Sequence, residues 1–269
     1  MAKVLPNVPL TQAPLIARAF RVLKQLPEDY TIWHSLKPDS PDFLIVKVGE
    51  GGAGKMGLIK LCALTTEQVL EHRQGQLFGN VDLLKPLREA EQALIRWSSE
   101  KLPAELAAAM ALVLLFPKLE SHAREALPVS ESTPHMHWLT REQLQDADLD
   151  SVLSGILLSA SASDIATLRA AFSPESEMPR EFCASASLRE RNLSASVEGF
   201  LLDYDQEYAA KANLQFNEES EVLSRDFSLT LLNGVAGSGK SLIILCRARL
   251  LEELFPRKSV LVLTHNQPL

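Results

Sequence analysis

The sequence predicts an α/β chain, and three observations predict it. Short runs such as Phe43-Leu44-Ile45-Val46 and Leu112-Val113-Leu114-Leu115-Phe116 are apolar at nearly every position, as strands buried on both faces are. Segments with apolar residues at helical spacing stand between such runs. A glycine loop, Gly234 to Ser241, lies between an apolar run and a helical pattern, in the order strand, turn, helix.

The chain has 269 residues, enough for one large or two ordinary domains with a real core. A net charge of -7 carries no global basic signature, so any nucleic-acid site is local. Cys62, Cys183 and Cys246 are widely scattered, which argues against a disulfide framework and a zinc knuckle and fits a reducing compartment. The most apolar stretch, 106–116, is far shorter than the roughly 20 residues of a membrane span. Residues 1–10 lack the apolar core of a signal peptide. The expectation is a cytoplasmic protein with no membrane partner.

In chain order, residues 12–25 read as an amphipathic helix through Leu15, Ile16, Ala19, Phe20 and Leu23, with Thr11 as cap and Pro27 beyond its end. Tyr30-Thr31-Ile32-Trp33 reads as a strand, 42–48 as a second and 56–64 as a third. Between the last two, Gly49-Glu50-Gly51-Gly52-Ala53-Gly54-Lys55-Met56 imitates a phosphate loop but lacks its Ser or Thr, and β-rich sequence follows it. It reads as a hairpin loop. Residues 86–100 are helical in pattern, and 110–116 form a fourth, central strand ended by Pro117.

That order of helix, three strands, helix, strand, with Pro41-Asp42 opening the second strand, resembles the nuclease-related (NERD) branch of the PD-(D/E)xK nucleases over about residues 10–120. Leu-Pro-Glu-Asp-Tyr, Pro-Asp-Phe-Leu-Ile-Val and Leu-Phe-Pro carry the resemblance. It implies an α-βββ-α-β fold with two or three carboxylates around a metal and a lysine that positions water. The third strand, however, reads Lys60-Leu61-Cys62-Ala63-Leu64 where the family has Glu-x-Lys, and Asp42 remains alone. The expectation is a nuclease fold without nuclease chemistry, with Asp42 kept as a turn residue.

Residues 128–199 read as a helical connector and linker: a helix over 140–149 capped by Thr140 with Gln143, others over 151–158 and 162–172, then a Pro/Ser/Glu linker over 172–179. His135 and His137 suggest a metal pair, but no acidic or cysteine partner lies near, and a surface strand is the preferred reading.

Residues 200–269 hold the main motif. A helix starts near Asp203, its expected cap. An apolar run over 229–232 then leads into Gly234-Val235-Ala236-Gly237-Ser238-Gly239-Lys240-Ser241, and a helix follows from Leu242. Glycines let successive backbone N–H groups turn inward around phosphate oxygens, and the helix start adds donors and a positive dipole end. This loop is expected to bind ATP with Mg²⁺, Lys240 reaching the β- and γ-phosphates and the Ser241 hydroxyl holding the metal. Gln206 is chemically able to read adenine, since a carboxamide donates and accepts at once, and an exposed helix glutamine is the competing reading. Residues 259–264 read as a buried parallel strand.

Together, Gln206 and the glycine loop resemble the Q motif and P-loop of superfamily 1 helicases of the UvrD and Rep type, a RecA-like fold whose first βαβ part the segment would supply. Thr264-His265-Asn266 resembles helicase motif Ia, which implies contact with single-stranded nucleic acid, DNA more than RNA; a polar turn is the competing reading. No Asp-Glu pair after an apolar strand follows Ser241, so the family's acidic metal-holding pair is expected to lie outside this sequence, and no catalytic residue is assigned. The three parts expected are 1–127, 128–199 and 200–269. Two functions stay open: the front part of an ATP-dependent helicase or translocase, its core completed by other sequence or a protein partner, and a non-enzymatic nucleic-acid or protein-binding module with a vestigial P-loop.

Overall fold

The computed structural model describes residues 1–7, 9, 13–35, 37, 40–49, 53–73, 82, 84–127, 135–146, 148–179, 199–212, 214, 230–235, 237–257 and 259–263. They form two compact units, Met1–Phe172 and Ser173–Leu269.

The first unit is built on a seven-stranded mixed sheet. Strand β1 (Lys3–Leu5) runs parallel to β2 (Tyr30–His34), and β2, β3 (Phe43–Val48) and β4 (Gly54–Leu61) form an antiparallel meander. The imitation phosphate loop is the β3–β4 hairpin connection, closed by the Gly49 amide donating to the Ala53 carbonyl at 2.7 Å. Gly54 is required there, because a Cβ would stand 2.2 Å from the Lys47 carbonyl oxygen. Strand β5 (Ala111–Leu115) then pairs parallel with β4 and with β6 (Met136–Leu139), and β7 (Leu158–Ala160) pairs antiparallel with the start of β4.

Helices cover both faces, as the near-continuous apolar strands require. On one side Ile32, Phe43, Ile45, Ile59 and Val113 share a buried cluster with Phe20 and Leu23 of α1 (Pro14–Leu23). Leu149 and Leu153 of a later helix, over Leu149–Ile156, join that cluster. On the other side the meander and β5 meet α3 (Lys85–Lys101), which follows the short α2 (Thr66–Arg73), and the helix Ala162–Phe172. Pro103 precedes the short α4 (Ala104–Ala108), and β5 is buried along its whole length. The order helix, three strands, helix, strand therefore forms as the patterns predict, β1, α2 and α4 being additions.

Residues 135–172 of the segment expected as a connector belong to this first unit, apart from 147, which is not described. After α5 (Ser121–Arg124), β6 and β7 pair into the sheet. The expected helix over 140–149 stops early, as α6 (Arg141–Gln145), because Asp146 Oδ1 accepts from the Asp148 amide and turns the chain, and the one expected over 151–158 is α7 (Leu149–Ile156), which gives way to β7 at Leu158. The cap itself forms, with the Thr140 amide donating to Gln143 Oε1 at 3.0 Å. Helix α8 (Ala162–Phe172) ends the unit as predicted. At the first helix, Ala13 is the cap residue, and Thr11 lies outside the described residues.

In the second unit the expected linker contains a 3₁₀ turn (Pro174–Ser176) and β8 (Glu177–Pro179), which pairs antiparallel with β9 (Gly199–Leu201). Helix α9 (Tyr204–Lys211) and α10 (Lys240–Leu254) pack together through Leu202, Ala210, Ile243 and Cys246. The two expected apolar strands around α10 do not form among the described residues. Thr230–Val235 and residues 259–263 have no ladder, and Leu231, Leu261 and Leu263 are each at least 76 % exposed. Apolar sequence becomes a strand only beside another strand, and no described residue supplies that neighbour.

Candidate nucleotide site

The glycine loop has the backbone that its residue types foretell. Gly237 and Gly239 take φ of 80° and 78°, the left-handed region that side chains disfavour. Ser238 braces the turn, its amide and hydroxyl both donating to the Val235 carbonyl. Helix α10 starts at Lys240, and the Ile243 amide donates to the Gly239 carbonyl at 3.0 Å as its first helical bond. The amides of 240–242, by position, lack a partner one turn back in the helix. Lys240 curls over the loop, its ammonium donating to the Gly234 carbonyl at 2.9 Å and to that of Val235. Ser241 is exposed in the first turn, and Val235 is exposed in the loop. Ala236, Thr264, His265 and Asn266 lie outside the described residues.

Gln206 comes to this loop from far along the chain. Asp203 caps α9, its Oδ1 accepting from the amides of Asp205 at 2.9 Å and Gln206 at 2.8 Å. Gln206 closes the reciprocal box: its Oε1 accepts from the Asp203 amide at 3.1 Å. Its Nε2 points to the Ser238 carbonyl at 3.5 Å. Each amide atom has used one of two bonding positions, so one donor hydrogen and one acceptor lone pair remain. The bland role, a helix cap, and the place beside the loop coexist in one side chain.

Lys240, the helix start and the left-handed glycines fit a polyphosphate, and the Ser241 hydroxyl fits one position on a hard cation. Among the described residues no group of three or more His, Cys, Asp or Glu gathers as a metal site elsewhere.

Three further residues that tie α9, α10 and the 3₁₀ turn together escaped the motif reading. Lys211, fully buried, donates to Glu175 Oε1 at 2.6 Å, Glu207 Oε1 at 2.7 Å and Ser173 Oγ at 3.1 Å. Burial by itself would lower its ammonium, but Glu175 and then Glu207 outweigh that and hold its pKa above the ordinary lysine value. Cys246 donates its thiol to the Glu175 carbonyl at 3.0 Å, and burial pushes that thiol up to about 11. Arg247 Nη1 donates to the carbonyls of Ala210 and Ala212, both at 2.8 Å. The available signal was an arginine at helical spacing from Ile243, Cys246 and Leu250, and a Glu207/Lys211 pair one turn apart.

Asp42, expected as a turn residue, is more than that. Its Oδ2 accepts from the Leu61 amide at 2.6 Å, and its Oδ1 pairs with Lys60 at 3.2 Å. Lys60 also donates to the Ser40 carbonyl at 2.9 Å. The ladder sets Phe43 opposite Ile59, so the next pair outward sets Asp42 opposite Lys60. His135 and His137 lie at β6, which has one ladder neighbour in the sheet, and burial lowers the His137 imidazole.

No family model matches the chain, and no curated protein or solved structure matches it either. No helix of the described residues is long and apolar enough to cross a membrane.

Proposed function

We propose that this chain binds ATP with Mg²⁺ through residues 234–241 and Gln206, and that it is the front part of a helicase or translocase of the superfamily 1 kind. Lys240 neutralises phosphate charge, the amides at the start of α10 hold phosphate oxygens, and Ser241 supplies a metal ligand. Gln206 reads the adenine edge with its remaining donor and acceptor. Single-stranded nucleic acid, DNA before RNA, is the proposed partner, met by 264–266. The 1–127 segment is proposed as a nuclease-like fold in which Lys60 faces Asp42 where a second carboxylate would be needed.

One observation carries the reading: the Gln206 amide and the Ser238 carbonyl, 32 residues apart, are 3.5 Å from each other. The same side chain caps α9 and stands beside the glycine loop. The second reading is a non-enzymatic nucleic-acid or protein-binding module with a vestigial P-loop.

Calorimetry of the wild-type chain and of Lys240→Ala with ATP and Mg²⁺ tests the proposal. Binding in the wild type and its loss in the variant are expected, with the fold intact by circular dichroism. Equal affinity of the two proteins overturns the nucleotide assignment, and a wild-type chain that binds no ATP favours the second reading.

A further inference from the structure

Gln206 can read a base only if α9 stands at a fixed height beside the phosphate loop. Helix α9 spans eight residues, too few to hold its place by its own hydrogen bonds. Its N-terminal end is tied by the Asp203/Gln206 box, which fixes the side chain but not the helix. Its C-terminal end is held by a residue of α10: Arg247 Nη1 donates to Ala210 O and Ala212 O at 2.8 Å each, so that both hydrogens of one nitrogen are engaged. The guanidinium is half-buried, and a cation at a helix C-terminus also meets the negative end of the helix dipole.

We propose that Arg247 is a positioning residue for nucleobase selectivity, a role that rests on the nucleotide reading above. Arg247 lies seven residues after Lys240 on the same helix, about two turns. One rigid element therefore carries the phosphate loop at its start and the grip on the base-reading helix further along. A nucleotide has a set distance between its phosphates and its base. Movement of α9 along α10 changes what Gln206 meets while leaving the phosphate loop as it was. Cys246 and the Lys211 pairings tie the 3₁₀ turn to α10 and to α9, respectively, but neither reaches the α9 carbonyls.

The test compares ATP and GTP binding, each with Mg²⁺, for wild type, Arg247→Met, Gln206→Ala and the double variant. Methionine keeps an apolar stem in the half-buried position and removes the donors. Arg247→Met is expected to lower the preference for ATP over GTP by about ten-fold, the scale of one bidentate base contact, with GTP affinity changed by less than about two-fold. In the Gln206→Ala background Arg247→Met is expected to move the preference no further. A structural role alone would weaken ATP and GTP equally, and that result, an unchanged preference, or an additive double variant overturns the inference. If thermal melting shows Arg247→Met unfolded, Arg247→Lys is read by the same criteria, since an ammonium does not reproduce the guanidinium's reach and plane. A wild-type chain that binds neither nucleotide overturns the nucleotide reading itself; binding with an unmoved preference overturns this inference alone.

Discussion

The Cβ that Gly239 lacks would stand 2.7 Å from the Nε2 of Gln206. The last loop glycine before Lys240 is thus demanded twice, by its positive φ of 78° and by the side chain that approaches it. An L-residue in the left-handed region costs about 1–2 kcal/mol, and here an added methyl also displaces the amide. Gly239→Ala is therefore expected to weaken ATP binding and to reduce its preference over GTP. Gln206→Ala should leave the loop alone and lose about 1–3 kcal/mol for ATP only. Competition binding with ATP, GTP and UTP separates the two variants, and equal losses for all three with Gln206→Ala would remove Gln206 from the site.

The loop, the cap and the helices beside it were legible because glycine, Asp203 and the apolar spacing act locally. The sheet of the first unit was legible for the same reason: Phe43-Leu44-Ile45-Val46 and Leu112 to Leu115 declare themselves buried wherever they pack. What escaped depends on partners distant in sequence. Leu158 to Ala160 form a strand only because Gly54 to Met56 offer an edge, and three residues show no period. The reverse holds for Val260-Leu261-Val262-Leu263, which reads as a strand and forms none. Arg247 escaped because its role is set by two carbonyls more than 30 residues earlier.

Stability of the first unit should fall at both ends of the pH scale through one cluster. Tyr30 donates to Asp150 Oδ1 at 2.8 Å, and Lys47 donates to the same oxygen at 2.7 Å and to Ser154 Oγ at 2.8 Å, which pins α7 to the edge of the meander. Burial, aided by the Asp150 carboxylate, pushes the Tyr30 phenol from 10.0 up to about 12. The hydrogen bond from Lys47, followed by that from Tyr30, holds the Asp150 carboxyl below its ordinary value. A raised phenol stabilises fully below its unfolded pKa and loses that contribution as pH rises from about 10 to about 12. A depressed carboxyl stabilises above its unfolded pKa and loses that contribution as pH falls through its lower folded value. Tyr30→Phe should cost about 1 kcal/mol at neutral pH and erase a late step in the alkaline absorbance titration of the three tyrosines. A titration unchanged by the substitution would refute the assignment.

Asp42 and Lys60 make a different expectation concrete. Both side chains are 17 % exposed, and each is the other's charge partner. Asp42→Ala leaves the Leu61 amide without that acceptor and a mostly buried ammonium without its carboxylate, a loss of about 1–3 kcal/mol read by urea unfolding. Incubation with single- and double-stranded DNA in Mg²⁺ or Mn²⁺ should give no cleavage that depends on Asp42. Cleavage present in the wild type and abolished in Asp42→Ala would show that metal displaces Lys60 and that the nuclease chemistry persists.

The last expectation concerns the backbone around α10. In the first unit β5 is buried throughout and bonded on both sides, so its amides open only with the whole sheet. Residues 230–235 and 259–263 have no ladder among the described residues, and apart from Leu232, which packs against Leu202, Ala210, Ile243 and Cys246, their apolar side chains are exposed: Leu231 is 77 % exposed, Val260 41 % and Leu263 77 %. An extended backbone without a neighbouring strand has only solvent for most of its N–H groups, and nothing slows exchange there. Helix α10 differs from both, since Ile243, Cys246 and Leu250 are buried and Arg247 binds it to α9. Hydrogen exchange by mass spectrometry should therefore give three classes: slowest for 111–115, intermediate for 243–250, and fast for 230–235 and 259–263. Nucleotide held by the loop should slow 237–243 and leave 259–263 unchanged. Slow exchange at 230–235 in the chain alone, comparable to that of β5, would mean that this segment is paired in solution.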